Sequence, residues 1–338
     1  MKSSNLTQSQ LAIWIGQQMH PGVPLYNEAH TFTIHGEVDP DHFARAFQAV
    51  VDRSDALRTV FTQQDGSPIA CVKEHLHGAF EVLDFTTEPN PDAVLSKWLD
   101  ERCIQPFDLG QRLFDSVLIR LAPERFVWYF NQHHLTADIT SIRLTFEKTS
   151  EFYSLSVAGE LDTAPPMAQF GDYIAYEERY INSPVYEKAE AYWNEKLAAT
   201  REPTAFYGRS MANNRPETAR IVCPLGETRS RKLKELAEQK GVRALTPDMT
   251  QLSIFSALLF TYLYRLTDAD QLAIGTPFHN RTAPPFKQTL GLFINIFPLI
   301  VQAEESETFR SFIQKCLRET MSSMRFANHV RTDAAQTS

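Results

Sequence analysis

Two adjacent histidines, His133 and His134, are followed four residues later by Asp138. An imidazole titrates near neutrality and can take or give a proton there. On an extended segment neighbouring side chains point in opposite directions, so at most one of the pair faces a given cavity. The aspartate can accept a hydrogen bond from a ring nitrogen, or it can pair with an arginine and fix the loop; the spacing leaves both open. The bland alternative is that both rings cap a strand and satisfy backbone groups. Metal chemistry fits less well. Cys71, Cys103, Cys223 and Cys316 are scattered singly, without the paired spacing of a zinc site. The histidine pair with Asp138 does not match a helical His-Glu-x-x-His arrangement either, so no metal is expected.

The pair sits where a strand should give way to a loop and a helix. Residues 126–130 are apolar or aromatic throughout and read as a buried strand that closes on Asn131 and Gln132. Beyond Asp138, Ile139, Ile142, Phe146 and Tyr153 recur at helical spacing and predict a helix to about Ser156. Rims of this kind often carry binding and catalytic groups on a rigid scaffold. Residues 113–121 supply a hairpin partner through the turn 122–125. Upstream, residues 6–10 open a short helix with Leu11, Ile15 and Met19 on one side. A strand is expected over 29–34, and Asp39-Pro40 should start a helix with the stripe Phe43, Ala46, Phe47, Val50 and Val51. Asp65-Gly66 predicts a hairpin turn, 80–85 a short strand, and 93–103 a helix.

Residues 159–166 are polar and proline-bearing and predict a linker, which divides the chain into 1–165, 166–325 and a polar tail 326–338. Helices are expected over 167–178 and 186–197, a polar surface loop over 200–220 and a strand over 219–225. Thr228 should cap a helix running to Lys240. The apolar run 247–265 predicts a helix with Leu252, Phe255, Leu258, Leu259, Tyr262 and Leu266 toward the core. Strands are expected over 272–275 and 292–301, the latter with Pro298 calling for an edge, a bulge or a break, followed by an amphipathic helix over 309–324. Both halves share a coarse order of helix, short strands, loop and helix.

Composition narrows the function classes. The 338 residues are 43% hydrophobic and 22% charged, enough for a sizeable core. A net charge of -8 and a sequence pI near 5.7 argue against a nonspecific nucleic-acid surface. Few, dispersed cysteines fit a reducing compartment. The amino terminus lacks a signal-peptide core and no apolar run has membrane-spanning length, so a cytoplasmic location with no membrane partner is expected.

Set in order, these stretches resemble the condensation domains of nonribosomal peptide synthetases. The core motif of that family, His-His-x-x-x-Asp-Gly, is similar to residues 133–139. Residues 6–10 with Trp14 resemble the first motif, Leu57-Arg58-Thr59 the second, and Phe170-Gly171-Asp172-Tyr173 the fourth. Gly275-Thr276-Pro277 with Asn280-Arg281 resembles the fifth, and residues 291–295 with Pro298-Leu299 the sixth. Six motifs in family order span nearly the whole chain. Two departures stand out: Ile139 replaces the motif glycine, and the chain ends before further second-lobe elements of the family, so the second lobe is expected to be incomplete.

The resemblance implies an α/β fold of two chloramphenicol-acetyltransferase-like lobes in a V-shaped arrangement with a tunnel between them. It implies amide formation between a carrier-protein-bound acyl or peptidyl donor and a carrier-bound amine, in nonribosomal peptide or hybrid polyketide-peptide synthesis, with bacterial origin expected. The substrates would be tethered through phosphopantetheine, with no cofactor bound by the domain itself. The partners would be donor and acceptor carrier proteins and neighbouring synthetase modules. By the same carry-over His134 faces the tunnel and orients the amine or takes its proton, His133 supports the loop, and Asp138 pairs with Arg281 and ties the loop to the second lobe. Asn295 and Ile139 are candidates for the tunnel lining, with a sheet-backbone role equally open to Asn295. The alternatives are a noncatalytic docking module and a related epimerising, ester-forming or free-acceptor acyltransferase. His133 argues against a heterocyclising relative, which would carry an acidic residue there.

Overall fold

A computed structural model describes residues 5–76, 80–200 and 221–328. The chain separates into two compact units. The first takes the chain up to Asn182 together with His279–Ile294; the second takes Ser183–Phe278 and the stretch from Asn295. The expected division at 165/166 therefore falls inside the first unit.

In the first unit, α1 (Gln8–Met19) leads into β1 (Asn27–His35), α2 (Pro40–Arg53) and the short α3 (Asp55–Arg58). A hairpin follows, β2 (Thr59–Gln64) and β3 (Ser67–Val72), then β4 (Phe80–Asp84) and α4 (Pro91–Arg102). The positive φ angles of Asp65 and Gly66 make the hairpin turn that the dipeptide predicts. β5 (Phe114–Ala122), β6 (Arg125–His133), α5 (Ile139–Val157) and α6 (Phe170–Ile181) complete the unit.

Its main sheet has the order β1-β6-β5-β4, antiparallel except for the β4–β5 pair. β6 is apolar without alternation because both sheet faces are covered. Trp128 and Phe130 lie in one core with residues of α2 and α5, while Val127 and Tyr129 pack with Leu95, Trp98 and Leu99 of α4. Asp39 caps α2 by accepting hydrogen bonds from the backbone N–H groups of Asp41 and His42, as Asp-Pro at a helix start predicts. α6 stays with this unit for a packing reason: Phe170 and Tyr173 bring their ring centroids to 5.3 and 4.4 Å from that of Phe293. Phe293 comes from the returning segment His279–Ile294.

The second unit holds α7 (Pro184–Ala198), α8 (Gly226–Ala237), α9 (Pro247–Thr267), the antiparallel pair β7 (Gln271–Phe278) and β8 (Asn295–Gln302), and α10 (Phe309–Met324). Trp193, Phe260, Phe297 and Ile313 lie in its core. Pro298 sits opposite Gly275 with no register break, tolerated because β8 pairs on one side only among the described residues.

Several expectations change. The strand expected over 292–301 begins only at Asn295, since 292–294 belong to the first unit. Residues 221–225 form no strand, and α8 starts at Gly226 without a side-chain cap, leaving Thr228 inside the helix. Ile15 and Met19 of α1 are 46% and 67% exposed; the buried residues are Gln10 and Gln17, whose amides find partners in the interior. The face of α9 is also reversed. Phe255, Leu258, Leu259, Tyr262 and Leu266 are exposed, and the helix buries Thr250, Ser253, Ile254, Ser256, Ala257, Phe260 and Leu263. Apolar residues occur on both sides of α9, so period alone does not select a face; the buried side meets α10 through Phe260 and Phe312, whose ring centroids are 6.4 Å apart. Apart from Thr200, the polar loop expected over 200–220 lies outside the described residues, as do residues 219–220 of the expected strand and the tail from 329 onward.

Gly291 shows how tightly the returning segment is fitted. Its φ is +143°, and a Cβ there would lie 2.0 Å from Cδ2 of Phe170. A side chain would face both backbone strain and a ring with no room to retreat. The variant Gly291→Ala should lower the stability of this unit by about 2–4 kcal/mol, read as an earlier urea transition.

Candidate active site

The β1–β6 ladder fixes where the two histidines go. Asn27 pairs with His133 and Glu28 with Gln132, and the His134 N–H continues the pattern by donating to the Tyr26 carbonyl at 2.9 Å. The strand pleat then puts His134 on the same side as Gln132 and Glu28, with His133 on the other.

His133 is buried and saturated. Its Nδ1 accepts a hydrogen bond from the Leu135 N–H at 3.1 Å, which leaves the proton on Nε2, and Nε2 lies 3.2 Å from Oε1 of Gln17. Gln17 is oriented for this role because its Nε2 donates to the carbonyls of His20 and Val23. Burial drives the His133 ring to a pKa of about 3, and the neighbouring His134 pushes in the same direction. His133 is thus a neutral, fully engaged ring that positions the loop. Gln10 adds to this. It closes a capping box with Thr7 at the start of α1, and its Nε2 donates to the Leu135 carbonyl at 2.9 Å.

His134 has the opposite setting. Its Nδ1 lies 2.6 Å from the Ala137 carbonyl, an acceptor, so Nδ1 carries the ring proton and Nε2 presents a lone pair. The Glu28 carboxylate stands 3.4 Å from the same Nδ1. Burial pulls the ring's pKa down, but Glu28, the Ala137 carbonyl and the charge of Asp138 outweigh it, and the net shift is upward.

Asp138 settles the choice that spacing left open. It is the N-cap of α5, and its Oδ1 accepts from the Ser141 N–H at 2.9 Å. Its Oδ2 accepts from Arg281 Nη1 at 2.6 Å and from the Phe293 N–H at 3.0 Å. The carboxylate is used by the arginine, the Ser141 hydroxyl and backbone, and it makes no hydrogen bond to either histidine. Arg281 Nη2 donates to Ser141 Oγ at 2.9 Å and lies 3.2 Å from the Gly291 carbonyl, with the guanidinium 4.1 Å above the Phe293 ring. Side-chain exposure is 4% for Arg281 and 2% for Asp138. The expected pair is present, but Arg281 belongs to the first unit, so the bridge folds the returning segment into that unit and does not tie the loop to the second.

The other expected site residues are placed differently. Ile139 is the first residue of α5 and 57% exposed, off the helix's buried stripe, and its φ is not left-handed. Asn295 is buried in the second unit, where its amide lies 3.5 Å from the Ala327 carbonyl. Sequence reasoning missed Gln10, Gln17, Glu28 and Ser141. The Thr7-x-x-Gln10 spacing signals a capping box, but nothing in it announces the second bond of Gln10 to the histidine loop.

The fold matches the starter condensation domain of rhizomide synthetase, with a TM-score of 0.82 at 24% identity over 96% of this chain and 72% of that one. It also matches the first condensation domain of the calcium-dependent antibiotic synthetase, with a TM-score of 0.84 at 22% identity over 98% of this chain and 77% of that one. The sequence profile of the Condensation domain matches residues 2–330, and the chain belongs to that family. It is 30% identical over 331 residues to the isonitrile lipopeptide synthase of Streptomyces coeruleorubidus, covering 94% of this chain and 21% of that protein. It is 26% identical over 323 residues to a dimodular nonribosomal peptide synthase of Bacillus subtilis, covering 94% and 13%. A fungal relative, the nonribosomal peptide synthetase penN of Penicillium thymicola, is 27% identical over 314 residues, covering 91% and 11%. The chain therefore spans between a tenth and about a fifth of the length of these relatives, which are both bacterial and fungal. Among the described residues no helix is long and apolar enough to cross a membrane.

Two outcomes follow from these contacts. Arg281→Ala leaves the Asp138 charge buried without its partner and should cost about 3–5 kcal/mol, read by urea unfolding. Glu177 of α6 accepts the Gln8 N–H at 2.9 Å, and burial lifts its carboxyl to about 7. The folded chain then holds a proton that the unfolded chain releases near pH 4.5, so this group's stabilisation is present below that pH and is lost as pH rises through about 7. Glu177→Gln should remove the decline, so that at pH 8 the variant exceeds the parent by up to about 3 kcal/mol, seen as a flatter profile of melting temperature against pH.

Proposed function

We propose that the chain joins a carrier-bound acyl or peptidyl thioester to a carrier-bound amine, as one step of nonribosomal or hybrid polyketide-peptide assembly. The observation that carries this reading is the ring of His134, whose Nδ1 proton is fixed by the Ala137 carbonyl while Nε2 keeps its lone pair. Nε2 orients the acceptor amine and takes its proton as the nitrogen attacks the thioester carbonyl. The C–N bond forms, the tetrahedral intermediate collapses, the C–S bond breaks, and the departing sulfur receives the proton from Nε2. His133 holds the loop and exchanges no proton, and Asp138 with Arg281 keeps the loop in register.

Both substrates arrive on phosphopantetheine arms of donor and acceptor carrier proteins, supplied by neighbouring modules in the cytoplasm. The apolar side chain of Ile139, at the head of α5 beside Asp138, offers a surface to one of them. The test uses acyl-loaded donor and aminoacyl-loaded acceptor carriers and follows carrier-bound product by intact mass. His134→Ala should reduce product formation by about 10²–10⁴-fold while carrier binding is retained. Product formation that is insensitive to this change overturns the role of His134. Carrier binding without product, for the parent chain across several substrate pairs, favours a docking role.

A further inference from the structure

We propose that Glu28 is a positioning residue for His134, its carboxylate standing beside Nδ1 and stabilising the imidazolium that forms when Nε2 takes a proton. The inference rests on the reading of His134 as the proton-accepting group. Glu28 lies in β1, two residues after Tyr26, which immediately precedes the strand and whose carbonyl receives the backbone N–H of His134. Alternation along the strand therefore aims Glu28 at the His134 side of the sheet, and the observed Nδ1 to Oε2 distance is 3.4 Å. The two side chains have similar exposure, 22% for His134 and 23% for Glu28, so the pair is half-buried and only partly screened by solvent.

One ring proton faces two acceptors here. The Ala137 carbonyl is the nearer and fixes the tautomer, while Glu28 contributes mainly its charge. The division resembles that of a catalytic triad, where a carboxylate orients an imidazole and balances its positive charge without taking its proton. Other charged or titratable groups near the ring do not supply this. His133 is neutral and engaged on both nitrogens. Asp138 also acts on His134, but its charge is opposed at 2.6 Å by Arg281. Tyr26 is a neutral phenol whose pKa burial raises further. Glu28 is the carboxylate beside the ring that no cation offsets among the described residues, and it lies outside the histidine motif.

The decisive variant is Glu28→Gln, which keeps size and polarity and removes the charge. Ring nitrogen shifts of histidine-labelled protein, with His134 assigned through His134→Ala, follow its titration without any substrate. The midpoint for His134 should move to lower pH in Glu28→Gln and return toward the parent value in Glu28→Asp. In the condensation assay, kcat for Glu28→Gln should fall roughly tenfold or more, with the acid limb of its pH profile displaced to lower pH and KM little changed. An unchanged His134 midpoint in folded Glu28→Gln protein overturns the proposal. So does a parent-like pH profile accompanied only by lower thermal stability. The titration stands apart from turnover: a shifted midpoint in a chain that makes no product upholds the Glu28–His134 pair and rejects the condensation reading instead.

Discussion

A buried ion pair between Asp138 and Arg281 governs the first unit. Two charges withdrawn from water carry a large desolvation cost, which is offset when geometry is good and the remaining hydrogen-bonding capacity is largely engaged. That condition is met at Asp138, where helix backbone, the Phe293 N–H and the guanidinium share one carboxylate. Arg281 in turn reaches Ser141 and the Gly291 carbonyl. Within this cluster the Arg281 Nε–H alone is buried without a partner among the described residues, and the remaining bonds leave the segment around Gly291 little freedom. The arrangement explains why the chain leaves the second unit after Phe278, passes through the first, and re-enters the second at Asn295.

The loop so fixed carries two neighbouring imidazoles in opposed electrostatic settings. His133 faces inward, where burial and full hydrogen bonding make the charged form costly. His134, one peptide further, meets a carboxylate and a carbonyl on the same ring nitrogen. The difference originates in the pleat of β6, which sends adjacent side chains to opposite faces, and in what lies on each face: the amide of Gln17 for one, Glu28 for the other. Chemical division between identical residue types therefore follows from strand geometry and needs no special backbone.

Much of this was legible in the sequence. The β5–β6 hairpin, the helices after Asp39 and Asp138, and the Asp65-Gly66 turn follow from local pattern and capping. The loop at residues 133–138 stood out by composition. Other features were not legible because they depend on partners far away in the chain. α1 looks amphipathic through Leu11, Ile15 and Met19, yet its buried face is chosen by the polar demands of Gln10 and Gln17. α9 carries apolar residues on most sides, so period alone does not select its face, and it buries Ser253, Ser256 and Ala257 beside Ile254, Phe260 and Leu263. The boundary between units escaped detection because residues 279–294 cross back, a topological choice with no local signature.

The family-like motifs acquire a common physical meaning once their contacts are known. Asp55, beside the Leu57-Arg58-Thr59 motif, receives the backbone N–H groups of Phe170 and Gly171 at 2.7 and 2.8 Å, so two motifs meet as a carboxylate on a helix N-terminus. Arg58 itself donates to the carbonyls of Lys73 and Glu74, securing the end of β3. These are joints between distant segments, and their residue types answer to backbone groups. Ile139 is different in kind. It stands at the first turn of α5 with an ordinary backbone and an outward side chain, so the glycine it replaces is not demanded by the local conformation. A residue that neither closes a joint nor fills the core is free to answer to what approaches the loop, and an isoleucine there makes that approach apolar.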